Sequence, residues 1–205
     1  RDRRDIFMAE LQFTEGRFSL AQPIKMLYEK RYYQALWQKN WSPFVWNGQL
    51  LMSYMLNPHE IIFPSLEDGS CFPCYETESH LPWVLGVPRG SSIPQLVDGE
   101  YLAFFHSGHQ IETFVSQKMP LWHYFMGAYT FSADPPFQIT RMTSDPIVGP
   151  GFYEHSAHAL NYLDKKVILP GGFVVDGPRI YVAYGKDDCE MWIATIDREA
   201  LMKEL

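Results

Sequence analysis

Apolar residues in this chain come in short runs broken by Gly, Pro, Asn and Asp, and runs with helical spacing are scarce. The pattern predicts helix at two places. One is Tyr28–Leu36, which reads equally as the approach to a strand; the other is the final Arg198–Leu205. Everything else reads as short strands and turns.

Three of these strand pairs repeat one design. Phe44–Tyr54, Pro94–His106 and Gly172–Tyr184 each run as apolar strand, Asn-Gly or Asp-Gly, apolar strand. Asn47-Gly48, Asp98-Gly99 and Asp176-Gly177 accept positive φ and so suit tight hairpins. A second kind of unit, at Ile6–Leu11, Tyr124–Phe131 and Met191–Asp197, reads as a third strand, and after the middle copy Pro135–Ile147 supplies an outermost one. Hairpin upon hairpin with large inserts predicts an all-β chain, a single β-propeller domain over residues 1–205; a two-sheet sandwich is the rival. About three units are too few to close a ring, so the propeller reading expects this chain to cover only the later blades. The others would come from the same longer protein or from another chain.

Composition sharpens this. Of 205 residues 46% are apolar and 16% aromatic, enough for a real core. The formal charge of −7, with basic residues scattered apart from Arg1, Arg3 and Arg4, argues against a nucleic-acid partner. No run of 18 apolar residues exists, so no membrane partner is expected. With no visible signal peptide and an odd cysteine count, the expected location is cytoplasmic. Cys71 and Cys74 form a C-x-x-C with Pro73 inside and Gly69-Ser70 before it, which reads as loop; no second C-x-x-C completes a zinc set. Glu154-His155-Ser156-Ala157-His158 is not the zinc-helix motif, and no metal is expected.

Specific words in the chain resemble glycoside hydrolase family 130, the inverting β-mannoside phosphorylases and hydrolases, and related five-bladed propeller mannosyl enzymes. Leu169-Pro170-Gly171-Gly172 followed by Tyr184-Gly185-Lys186-Asp187-Asp188 is similar to the family's Phe-Pro-x-Gly and Tyr-Gly-x-x-Asp. Arg89-Gly90-Ser91-Ser92-Ile93-Pro94, then Phe105-His106-Ser107-Gly108, resembles its Gly-rich approach and Tyr-His-Gly. Asp134-Pro135, Arg141, Ser144-Asp145-Pro146 and Tyr153-Glu154 follow in family order, and Lys39-Asn40-Trp41-Ser42-Pro43-Phe44 looks like the Lys-Asp…Phe-Pro opening of the preceding blade. The resemblance implies a five-bladed propeller acting on mannoside-type linkages by inverting hydrolysis or phosphorolysis, with an oligosaccharide or sugar phosphate as ligand. It implies no cofactor beyond inorganic phosphate as co-substrate. Glycosyl transfer and sugar binding without catalysis are the alternatives.

The resemblance also assigns residues. Asp188 matches the family's Asp, and Glu154 its Tyr-Glu; these two are the catalytic candidates. Arg89 and His106 stand at the family's anion side, where a guanidinium suits an oxyanion. Asn40 stands where the family carries its general acid, and an amide cannot donate a proton as a carboxylic acid does. From the residues themselves, Asp187 joins Asp188 as an adjacent carboxylate at a strand end, with an Asx-type turn as the competing reading. His123, beside Trp122, is a candidate for the rim of a sugar site, where an aromatic face stacks on a pyranose.

Overall fold

The computed structural model describes residues 4–28, 39–112, 118–154 and 165–205. The predicted helix beyond Tyr28, and Arg1, Arg3, His155 and His158, lie outside these. Among the described residues the chain is all-β apart from one C-terminal helix. It opens with two small sheets: β1 (Phe7–Met8) pairs with β4 (Ile24–Lys25), and between them β2 (Leu11–Thr14) and β3 (Arg17–Leu20) form an isolated hairpin. Ile6–Leu11 is therefore not one strand; pairing lapses after Met8 and resumes with β2 at Leu11.

Next comes a four-stranded antiparallel meander, β5 (Ser42–Trp46), β6 (Gln49–Leu56), β7 (His59–Pro64) and β8 (Cys71–Thr77). The Asn47-Gly48 turn has φ of 48° and 76°, as its sequence predicts. Cys71 and Cys74 correct the sequence reading: they sit in β8, not in a loop. β8 ends its sheet, and an edge strand tolerates Pro73, which lacks a donor. Both thiols are free.

A second meander follows. β9 (Arg89–Gly90) and β10 (Gln95–Val97) both pair with β11 (Glu100–Glu112), which pairs with β12 (Pro120–Ser132), which pairs with β13 (Ile139–Met142). β13 covers β12 only at Tyr129–Phe131. The edge left open at Trp122–Tyr124 is taken, in parallel, by β14 (Lys165–Asp176), which continues through β15 (Arg179–Lys186) to β16 (Glu190–Asp197). The two units thus share one eight-stranded sheet.

One turn differs from its predicted form. Asp176 pairs with Arg179, so the two-residue turn is Gly177-Pro178 rather than Asp176-Gly177. Pro178 fixes its own φ negative and cannot take the second place of a type I′ turn, so Gly177, at φ 54°, goes first. Helix α1 (Arg198–Glu204) begins where predicted, its first turn capped by Asp197, whose carboxylate accepts from Ala200 N at 2.8 Å. The Arg141 guanidinium ties it down, donating to Met202 O and to the Glu100 carboxylate.

β11 and β12 are buried on both faces, which is why Tyr101–Ser107 shows no polar alternation. On one face Tyr101, Phe105, Tyr129 and Phe131 pack against Phe44, Leu51, Leu56 and Ile61 of the first meander. On the other, Leu102, Phe104, Met126 and Ala128 pack against Ile168, Ile180 and Val182 of β14 and β15. Apolar layers therefore cover both faces of β11–β12, one shared with the first meander and one with β14–β15, whose sheet β12 also joins at its edge. Gly127 allows the closest approach there: a Cβ would lie 2.3 Å from the Phe105 ring. A polar link crosses the first interface. His59, fully buried, donates from Nδ1 to Phe137 O (2.6 Å), leaving Nε2 to accept from Ser53 Oγ (3.0 Å). Among the described residues no helix is long and apolar enough to cross a membrane.

Candidate anion-binding pocket

β9 is two residues long and brings two chain regions together. It pairs with β11, placing Arg89 opposite His106 and Gly90 opposite Phe105. Its other side lies against the start of β5. A Cβ on Gly90 would stand 2.5 Å from Ser42 Oγ and 2.9 Å from Asn40 O, so only glycine permits this approach. The resulting cleft, roughly 100 Å³, is lined by Lys39, Asn40, Trp41, Tyr54–Asn57 and Val87–Gly90. That space holds a group of a few heavy atoms, a phosphate or part of one sugar ring, since one water needs about 10–15 Å³ on this measure.

The electrostatics are one-sided. The described lining residues include Lys39 and Arg89 and no carboxylate. His106, just behind, is 5% exposed, and its Nδ1 shares a 2.5 Å hydrogen bond with Ser91 Oγ. Burial first, then the charges of Arg89 and Lys39, push its pKa down to about 4, so the imidazole is neutral near pH 7. Lys39 is likewise lowered, by burial and then by Arg89 and Arg4. These cations feel one another across the cleft, which gives it a positive potential. Two further donors, Asn40 Nδ2 and Trp41 Nε1, are buried without a hydrogen-bond partner among the described residues. Trp41 and Tyr54 form an aromatic wall, their rings 5.4 Å apart and edge to face. Behind it the Tyr28 hydroxyl donates to the buried Glu60 carboxylate.

Of the residues singled out from sequence, the fold brings Asn40, Arg89 and His106 together. The other four lie elsewhere. Asp187 is buried in the β15–β16 turn at φ 51°, where it clamps β14: its N donates to Val167 O (2.9 Å) and its Oδ1 accepts from Val167 N (3.0 Å). Asp188, at φ 57°, is exposed beside it. His123 is half-buried on β12, opposite His109, with its Nδ1 donating to Leu121 O (3.1 Å) and its ring near Phe125 and Tyr153. Glu154 is exposed, next to Tyr153, whose hydroxyl donates to Tyr124 O (3.1 Å). Among the described residues no group of three or more His, Cys, Asp or Glu side chains is placed to hold a metal. Tyr54 and Ser91 carry no signal of their own in the sequence: Tyr54 lines the cleft from within β6, and Ser91 reaches His106 through the pairing of β9 with β11.

No protein-family model and no curated protein sequence matches the chain. Solved structures do. A β-1,2-mannobiose phosphorylase from Listeria innocua, in complex with β-1,2-mannobiose, superposes with a TM-score of 0.57 at 20% identity, over 82% of this chain and 46% of its own. A glycosyl hydrolase from Bacteroides ovatus gives 0.55 at 12% identity over 94% of this chain and 61% of its own. A structure from the GH130 family of mannoside phosphorylases, described with glycoside hydrolases that target β-1,2-mannosidic linkages in Candida mannan, gives 0.57 at 14% identity over 94% and 62%. The chain thus spans about half to two thirds of the length of these proteins, and at such identities the likeness concerns the fold. The chain has a fold of the glycoside hydrolase family 130 type.

Proposed function

We propose that this chain is part of a carbohydrate-active protein and that the Lys39–Arg89 pocket holds the phosphate of a mannoside-type reaction, as free co-substrate or as part of a sugar phosphate. The observation that carries the reading is that Lys39 and Arg89 line one cleft, with His106 the register partner of Arg89. A site with two cations suits an oxyanion such as phosphate. If Ser91 Oγ–H donates to His106 Nδ1, Nε2–H is left as a neutral donor beside the guanidinium. Asn40 Nδ2 and Trp41 Nε1 supply donors for sugar or phosphate oxygens.

In inverting phosphorolysis a phosphate oxygen attacks the anomeric carbon from the face opposite the leaving oxygen, which takes a proton as the glycosidic bond breaks. The pocket provides for the nucleophile. The acid, in this reading, is a carboxylate from outside the described residues, because Asn40 cannot serve and neither Asp188 nor Glu154 lines the pocket. Inverting hydrolysis would instead use Asp188 and Glu154 as the acid–base pair. A five-bladed propeller, completed by further blades, fits the layered strand units and would gather strand-end residues around one mouth.

The second reading is sugar-phosphate binding without catalysis, and the amide at Asn40 favours it. Incubation with β-mannosides, with and without phosphate, tests both. Mannose 1-phosphate released only with phosphate supports phosphorolysis, and mannose released in both supports hydrolysis. No release with saturable binding of mannose 1-phosphate supports the binding module. Absence of both release and binding would overturn the proposal.

A further inference from the structure

We propose that the β2–β3 hairpin is a self-association surface on which a second copy of this chain docks. The hairpin turns at Glu15-Gly16, with φ of 53° and 75°, and among the described residues its strands pair only with each other. Register puts Leu11 opposite Leu20 and Phe13 opposite Phe18, so these four share one face, with Gln12, Ser19, Thr14 and Arg17 on the other. The apolar four are 62%, 67%, 63% and 71% exposed in the order just given, and the two Phe rings lie 4.7 Å apart. An isolated two-stranded hairpin is marginal in water, and this one covers none of its apolar face with the rest of the described chain.

The geometry suits a copy of itself. The face has an internal two-row plan, a Leu pair and a Phe pair, so a two-fold axis through its centre sets the Leu pair of one copy on the Phe pair of the other. It carries no charge, so the chain's net −7 does not oppose contact there. Two Phe and two Leu at these exposures offer on the order of 500 Å². A symmetrical contact doubles that to roughly 1,000 Å², the lower bound for a specific interface. A lipid surface fits less well, because the hairpin is flanked by Glu10 and Glu15 with Arg17 as its one base.

Sedimentation equilibrium of the chain over a range of concentrations is the test. The wild type should show a monomer–dimer equilibrium. Phe18→Glu, which buries a charge in each half of the contact, should weaken it ~100-fold, while Gln12→Glu on the polar face leaves it unchanged. At concentrations where the wild type is monomeric both variants should melt like it, since the hairpin face packs on no core of the described chain. Dilution to monomer should speed amide exchange within 11–14 and 17–20. A wild type that stays monomeric, a dimer indifferent to Phe18→Glu, or exchange in the hairpin independent of concentration would each overturn the proposal.

Discussion

Arg89 and His106 are register partners on adjacent antiparallel strands, so their side chains leave the sheet on the same face, seventeen positions apart in sequence and side by side in space. The guanidinium charge helps keep the imidazole neutral, and the imidazole leaves the guanidinium free of a counter-charge on that side. Two basic residues placed thus serve an anion better than each other.

Two buried histidines held neutral make the fold's stability depend on pH. His59 and His106 both have pKa values lowered from 6.5 to about 4, chiefly by burial. Below pH 6.5 the unfolded chain takes up protons that the folded chain refuses. The stabilisation is therefore complete above pH 6.5 and is lost as pH falls towards 4, by about 3 kcal/mol for each residue at most. Urea midpoints measured from pH 7.5 to 4 should fall along this course. His106→Gln should flatten the dependence while leaving the part due to His59.

Gly90→Ala should damage the pocket without touching a charged residue. The added methyl meets Ser42 Oγ and the Asn40 carbonyl, so β9 must back away from β5. A loss of ~1–3 kcal/mol in thermal or urea unfolding is expected, together with weaker phosphate binding. Ala at Gly99, whose Cβ meets nothing within 4 Å, costs only its φ of 86° and should leave binding intact.

Much of this was legible beforehand, for identifiable reasons. Asn47-Gly48 and Asp98-Gly99 mark their hairpins because positive φ is written in the residues themselves. The run Tyr101–Phe105 announces a doubly buried strand. Arg89, His106 and Asn40 were recognisable by their resemblance to a family, and the fold brings these three together. What stayed hidden depends on long-range pairing. In β8, Pro73 and two cysteines look like loop punctuation until an edge position accommodates them. The Glu15-Gly16 turn went unmarked because Glu is an unusual first residue for it. Asp187 was legible only as a choice, sugar ligand or turn; its bonds to Val167 on β14 are long-range and no local pattern announces them.

Asn40→Asp asks whether the pocket lacks only its acid. Asn40 has φ 63°, a conformation Asp shares with Asn, so the fold should hold within about 1 kcal/mol. Lys39 and Arg89 would favour the ionised carboxylate, so a gain in release of mannose 1-phosphate from β-mannosides should be largest at mildly acidic pH. Unchanged turnover across that range would place the acid elsewhere.

Calorimetric titration with inorganic phosphate, comparing the wild type with Arg89→Ala, tests the central claim most directly. The account predicts saturable binding by the wild type, weakened by added salt, and a ~10- to 100-fold loss in the variant at unchanged stability. Equal affinity in the two proteins, or no phosphate binding by the wild type, would contradict it.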